Sequence, residues 1–121
     1  MKRRVVLIDV QEHSRNGIEE LLRPLGLEML SLGTLEFPYE GWDEHNTPHL
    51  VIVSSEGAIS PEYHQCIMKL LASGVKMIII AGHTDWAEAR SLFLAGAYDV
   101  VTRNSPNEDL ARSVQSALGE M

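Results

Sequence analysis

The sequence predicts an α/β domain built on a single five-stranded parallel sheet with helices on both faces. Short β-branched runs alternate with stretches of helical periodicity about five times along the chain. Three of these runs are uniformly apolar, which is typical of strands that are covered on both sides. A length of 121 residues allows one independent core and leaves no room for a second, so residues 1–121 are expected to form one domain.

Five segments are predicted as strands because they combine β-branched and large apolar residues with turn-forming residues between them. They comprise residues 5–8, 27–32, 50–53, 75–81 and 98–102. The second segment is the most polar, since it carries Glu28 and Ser31, and this composition favours a position at the edge of the sheet.

Apolar residues recur at helical spacing between the strands, which predicts amphipathic helices that pack on the sheet. The first stripe is Ile18, Leu21, Leu22 and Leu25, and the third is Tyr63, Ile67, Leu70 and Leu71. Pro38 and Gly41 interrupt the second helical stretch, so we expect a short or irregular helix there, flanked by loop.

The start of the fifth and last helix is the most clearly marked. Ser105 can accept a hydrogen bond as the N-cap, Pro106 suits the first turn, and Glu108 completes a capping box. Leu110 and Val114 then begin the apolar stripe of this helix. The sequence therefore predicts that the last helix begins just after Ser105.

Composition limits the cellular setting. The longest apolar run, residues 77–81, is much too short to cross a bilayer, and the first ten residues run into Asp9 without a signal segment. Apolar residues make up 45% of the chain and charged residues 22%, the balance of a folded protein. We expect a cytoplasmic protein with no membrane association.

Charge and cysteine content narrow the classes of partner. The net charge of −7 disfavours binding to a phosphate backbone, which needs clustered Lys and Arg, so protein partners are expected and nucleic acid is not. Cys66 is the only cysteine, which excludes an internal disulfide and a cysteine-rich metal site.

Histidines at the expected carboxyl edge of the sheet suggest a metal site only weakly. His13 and His83 should lie there with Asp9 and Glu56, where open α/β sheets bind ligands. No histidine pair has the i, i+4 spacing of a helical zinc motif, so neither a metal nor another cofactor is predicted.

The residues from 75 to 118, VKMIIIAGHTDWAEARSLFLAGAYDVVTRNSPNEDLARSVQSAL, resemble the last two βα units of a response-regulator receiver domain. The segments VVLIDVQEHSR and PHLVIVS resemble the strands that end in the family's acidic pair and phospho-acceptor Asp. The resemblance covers nearly the whole chain. It implies a CheY-like (flavodoxin-like) fold with strand order 2-1-3-4-5 and a role in two-component signal transduction or a phosphorelay.

The residues of the phosphorylation site depart from the family pattern. The positions that match the acidic pair, the acceptor, the phosphoryl sensor and the basic residue are Asp9, Val10, Ser54, Ala81 and Arg103. Val10 offers no oxygen to Mg²⁺, and Ser54 cannot form an acyl phosphate. Ala81 cannot hydrogen-bond to a phosphoryl oxygen. The resemblance therefore implies a degenerate pseudo-receiver.

The remaining polar residues of this pocket are expected to pair with each other. Asp9 is interpreted as a structural acid that accepts loop N–H groups or forms an ion pair with Arg103, and the ion pair is our prediction. The family's aromatic switch residue on the fifth strand aligns with Val100, which has no ring to move.

Without phosphorylation chemistry, the expected function is regulation through protein contact, with no enzymatic activity. Receivers commonly dimerise or bind partners through the fourth helix, fifth strand and fifth helix. Helical spacing predicts that Ala89, Phe93 and Gly96 face the sheet. The other stripe, with Tyr98 beside it, forms the predicted interface for a protein partner or a second copy: Trp86, Arg90 and Leu94.

Two other functions share the predicted architecture. GLEMLSLGTLEFPYEGW followed by VIVSSEG resembles stretches of cobalamin-binding carrier domains, but the D-x-H-x-x-G motif of that class is missing around Asp9, His13 and Gly17. A small flavodoxin-like flavin protein would need a phosphate cradle after the first strand, and QEHSRNG is a poor one. A visible absorption spectrum would separate these alternatives from the receiver.

Overall fold

The computed structural model describes residues 3–9, 11–33, 47–54, 61–81, 86–102 and 107–119. Its five strands are β1 (Arg4–Ile8), β2 (Glu28–Leu32), β3 (Leu50–Ser54), β4 (Met77–Ala81) and β5 (Asp99–Thr102). The α-helices in the described ranges are α1 (Glu12–Leu22), α2 (Pro61–Ala72), α3 (Trp86–Leu94) and α4 (Asn107–Ala117). A 3-10 turn, Arg23–Leu25, follows α1.

The five strands form one parallel sheet in the order β2-β1-β3-β4-β5, which confirms the predicted fold class and strand order. In register, Val6 lies beside Leu30 of β2 and Val51 of β3. The first strand in sequence is thus an interior strand, and the second occupies the edge that its polar residues indicated.

Each predicted strand is present, with its start moved by one or two residues in several cases. β4 begins at Met77, since Val75 and Lys76 only connect the turn at Ser73 and Gly74 to the strand, although Val75 is buried. β5 begins at Asp99, while the Tyr98 N–H already donates to the Met77 carbonyl at 2.7 Å. The apolar segment of a strand therefore extends slightly beyond the residues that pair in the sheet, because apolar character reports burial and not pairing.

Both faces of the sheet carry an apolar core, since successive residues of a strand point to opposite sides. α1 and α4 cover one face, with side chains that include Ile18, Leu22, Leu110 and Val114. Ile67 and Leu70 of α2 lie on the other face. Each fully buried side chain of this size contributes about 1.5–3 kcal/mol relative to exposure. Packing on both faces therefore fixes the positions of the central strands, and with them the positions of the residues at their carboxyl ends.

Two sequence predictions concern segments outside the described residues. The irregular second helix around Pro38 and Gly41 is one of them. The caps Ser105 and Pro106 are the other, although α4 itself begins at Asn107, directly after them. The second predicted helix falls in residues 34–46, which are not described, so it receives no label. The fourth predicted helix is therefore called α3, and the fifth is called α4.

Candidate functional site: the carboxyl edge of the sheet and the α3–β5–α4 face

The parallel register places three of the predicted pocket residues at the carboxyl ends of neighbouring strands. Ser54 and Ala81 are the last residues of β3 and β4, and Asp9 directly follows β1. Ile8 pairs with Val53, so positions 9 and 54 lie next to each other at the edge. Val10 and Arg103, the other two residues of the pocket, lie outside the described residues.

Asp9 is buried, with 1% of its surface exposed. Its Oδ1 accepts a hydrogen bond from the Gln11 N–H at 3.0 Å, and its own N–H donates to the Leu32 carbonyl at 2.9 Å. Its Oδ2 has no hydrogen-bond partner within the part of the chain that the structure describes. Asp9 thus accepts a loop N–H through one carboxylate oxygen, while its ion pair with Arg103 stays a prediction because Arg103 lies outside the described residues.

Arg15 is a residue of this pocket that the sequence reasoning missed. Its Nη1 donates to the Asp9 carbonyl oxygen at 2.8 Å, from the second turn of α1. The same nitrogen lies 2.9 Å from the position that a Cβ on Gly33 would occupy, so the guanidinium fills space that the glycine leaves. Arg15 thus hydrogen-bonds to the backbone just after β1 and lies against Gly33, which follows β2.

The acceptor and sensor positions are buried and carry no charge. Ser54 is 2% exposed, and Ala81 is completely buried in the core that contacts α2. Val100, at the position of the aromatic switch, packs partly buried against the same core. The positions that the resemblance matches to the phospho-acceptor and the phosphoryl sensor thus hold a buried hydroxyl and a buried methyl group.

The structure gives the exposure of several residues of the predicted contact surface. Leu94 is 76% exposed and Arg90 is also exposed, as the helical spacing predicted, and Tyr98 beside them is exposed too. Phe93, however, is 47% exposed and Gly96 is also exposed, so the prediction that these two residues face the sheet is wrong. The side chains of Trp86 and Ala89 are not described. Leu94, Phe93 and Tyr98 are therefore exposed at the end of α3 and just before β5, and these three residues are called the exposed apolar patch below.

A polar cleft of about 520 Å³ lies beside this patch, between β5 and α4. Ser113 Oγ donates to Asp99 Oδ2 at 2.6 Å, and the Val100 N–H donates to Asp99 Oδ1 at 2.8 Å. The hydroxyls of Tyr98 and Ser116 share a hydrogen bond of 2.6 Å. Because Ser113 and Ser116 lie on one face of the helix, the two contacts hold α4 against β5.

The described ranges contain no group of three or more residues able to hold a metal ion. His13, which was considered with Asp9 for such a site, is exposed on α1, and Glu56 and His83 lie outside those ranges. Of the helices that the structure describes, none combines the length and the apolar character needed to cross a bilayer.

No protein-family model and no curated protein matches this sequence. Solved structures do match. A response-regulator receiver domain protein from Clostridium thermocellum superposes with a TM-score of 0.80 at 19% identity, over 97% of this chain and 94% of the other. A CheY-like receiver domain protein from Methanospirillum hungatei gives a TM-score of 0.78 at 17% identity, over 99% and 96%.

NtrX from Brucella abortus matches with a TM-score of 0.79 at 18% identity. The match covers 98% of this chain and 27% of that protein, so this chain corresponds to one part of the longer molecule. The chain therefore has the fold of response-regulator receiver domains, with the strand order expected from the resemblance.

Proposed function

We propose that the chain is a cytoplasmic, receiver-like signalling module that acts through protein contact and without phosphorylation. The observation that supports this proposal is Ser54, a buried neutral hydroxyl at the end of β3, where a receiver carries its acceptor Asp. On β4, Ser54 pairs with Ile80, and the next residue, Ala81, has no group to hold a phosphoryl oxygen.

The chemistry of this pocket argues against phosphoryl transfer. An acyl phosphate requires a carboxylate nucleophile, and Mg²⁺ requires several oxygen ligands to bring a phosphodonor close. Of the three acidic positions of a receiver, only Asp9 is acidic here, and Val10 and Ser54 hold the other two. The module would therefore keep one state regardless of phosphodonor.

We expect the protein to remain unmodified when it is incubated with Mg²⁺ and a small phosphodonor such as acetyl phosphate. The intact mass, measured by mass spectrometry, should not change, because no carboxylate is present at position 54. A receiver domain with an acceptor Asp, added to the same tube, should gain one phosphoryl group and serves as the positive control. A stable phosphoryl group on Ser54 would contradict the proposal.

The same proposal assigns Arg103 to the pocket as the partner of Asp9. Asp9 is buried and its Oδ2 has no hydrogen-bond partner among the described residues. A guanidinium can meet a carboxylate with two parallel hydrogen bonds, and an unpaired buried carboxylate is costly. The positive charge of Arg103 would thus hold the pocket in one arrangement.

A double-mutant cycle tests this pair. Asp9→Asn, Arg103→Gln and the double variant should show a coupling of about 1–3 kcal/mol in the free energy of unfolding, measured by urea denaturation. Arg15→Gln replaces Arg103→Gln in a control cycle, because Arg15 donates to the Asp9 backbone and should couple weakly to the carboxylate. Additive effects of Asp9→Asn and Arg103→Gln would refute the ion pair.

The contact surface in this proposal is the patch of Leu94, Phe93 and Tyr98 with Arg90. Single exposed hydrophobic residues are ordinary, but an adjacent Phe and Leu beside Tyr and Arg form a group whose aromatic and Arg members are enriched at binding hot spots. The partner that binds this surface is a second copy of the chain or another protein. Without control by phosphorylation, the concentration of that partner would determine how much complex forms.

A further inference from the structure

The amino edge of the sheet, opposite the pocket that contains Asp9 and Ser54, carries a second cleft with a volume of about 310 Å³. It lies at the amino ends of β1, β3 and β4 and reaches the last turn of α4. The residues that matter for its chemistry are Arg3, His49, Ser73, Gly74, Lys76 and Ala117. Of these six residues, only Ala117 belongs to the α3–β5–α4 face.

The walls of the cleft are held by backbone contacts. The His49 N–H donates to the Arg4 carbonyl at 2.8 Å, and His49 Nδ1 accepts from the Arg4 N–H at 3.0 Å. The Arg3 carbonyl accepts from the Glu28 N–H, and the Lys76 carbonyl accepts from the Val51 N–H, both at 2.9 Å. The backbone positions that carry these side chains are therefore set before any ligand arrives.

A sharp turn forms the third wall, where α2 ends. Gly74 has φ of 86°, a conformation that a side chain would strain, and its N–H donates to the Leu71 carbonyl at 3.1 Å. The Ser73 hydroxyl donates to the Leu70 carbonyl at 2.6 Å. This turn reverses the chain so that Lys76 follows two residues later at the mouth of the cleft.

Two cationic side chains line the cleft, although the chain as a whole carries a net charge of −7. Its lining includes Arg3 and Lys76, both exposed, and no Asp or Glu among the residues described. His49 accepts at Nδ1, so its ring proton is on Nε2, which makes the ring a hydrogen-bond donor on its other side. The charge thus favours an anion.

Part of this positive charge has a structural role. Lys76 Nζ donates to the Ala117 carbonyl at 2.7 Å and lies 5.6 Å from the centre of the Tyr98 ring. A cation at a helix C-terminus is stabilising, so this contact alone would explain the lysine. An ammonium group has three donors, however, and the described hydrogen bond uses one of them.

We propose that this cleft binds a small anion with a carboxylate or phosphoryl group, which Arg3 and Lys76 contact. Its volume lies at the lower end of the range of roughly 300–1,000 Å³ for small-molecule sites, which fits a ligand of a few heavy atoms. This proposal is independent of the proposed function, because it uses none of the residues of the carboxyl edge or the exposed apolar patch.

Titration of ¹⁵N-labelled protein with inorganic phosphate and, separately, with succinate tests the site at constant ionic strength. We expect saturable shifts of the amide signals of residues 47–49 and 73–76 with at least one of the two anions, and none with chloride. Arg3→Gln should weaken the binding about tenfold, because it removes a charge-assisted hydrogen bond.

Arg23→Gln is the matched control, since it removes the same charge from an exposed pair with Glu20 on α1 and should leave the affinity unchanged. Lys76→Gln should also weaken binding. Saturation by phosphate alone or succinate alone supports the site and assigns its ligand class. Shifts that do not saturate, or an affinity that is equal in Arg3→Gln and the wild type, would overturn it.

Discussion

Replacing Ser54 with Asp, the residue type that the resemblance to receivers implies at this position, is expected to lower the free energy of unfolding by about 3 kcal/mol. Ser54 is 2% exposed and lies beside Asp9, which is itself buried. Neighbouring parallel strands are roughly 4.8 Å apart, so the variant would bury two carboxylates side by side. Desolvation and repulsion then both oppose folding.

Urea denaturation with and without Mg²⁺ measures this effect, and Ser54→Asn is the matched control. The amide has nearly the same shape as the carboxylate but no charge, so it should cost much less. Mg²⁺ should recover part of the loss in Ser54→Asp and leave Ser54→Asn unchanged, because only the former has a second carboxylate for the ion. Equal stability of the two variants would show that the pocket does not disfavour a second charge.

Leu94→Glu is expected to weaken self-association of the domain by about 30-fold or more, since a central apolar contact is worth roughly 2 kcal/mol or above. Leu94 is 76% exposed, so the substitution should cost little stability while placing a charge in the middle of the apolar patch. Sedimentation equilibrium over a range of concentrations measures the dimer.

Met68→Glu provides the control for this variant, because Met68 is also an exposed apolar residue but lies on α2, away from the patch. It should associate as the wild type does. If Leu94→Glu and the wild type have the same dissociation constant, the patch is not the contact surface. A wild type that stays monomeric at every concentration would exclude the second copy as the occupant.

The fold could be predicted because its central strands are buried on both faces. β3 and β4 are completely buried, and no helical stripe explains their uniform apolar sequences. The strand order came from the resemblance to receivers, since neighbouring strands cannot be read from a single sequence. The structure confirms both the strands and their order.

The orientation of α3 could not be predicted in the same way. Trp86 and Leu94 lie on one stripe and Ala89 and Phe93 on another, so the sequence allows more than one face of the helix to point toward the sheet. Phe93 was assigned to the core on spacing, and the structure leaves it half exposed. A helix of nine residues with apolar side chains around its circumference gives no unique answer.

Neither the contact of Arg15 with the end of β1 nor the cleft at the amino edge could be predicted from local patterns. Arg4 and His49 are 45 residues apart, and Lys76 and Ala117 are 41 residues apart. Such contacts depend on the register of the sheet and on where each helix ends. The pocket at the carboxyl edge was accessible to prediction because the resemblance already supplied its positions.

The interior position of β1 has a consequence for synthesis of the protein on the ribosome. Both edges of this apolar strand are paired, with β2 from residue 28 and with β3 from residue 50. A nascent chain that emerges in sequence order therefore exposes β1 until some fifty residues have followed it out of the exit tunnel. During that interval, the backbone of β1 is unpaired on both sides. Only a slow encounter with other chains, or a bound chaperone, keeps the strand from pairing with them.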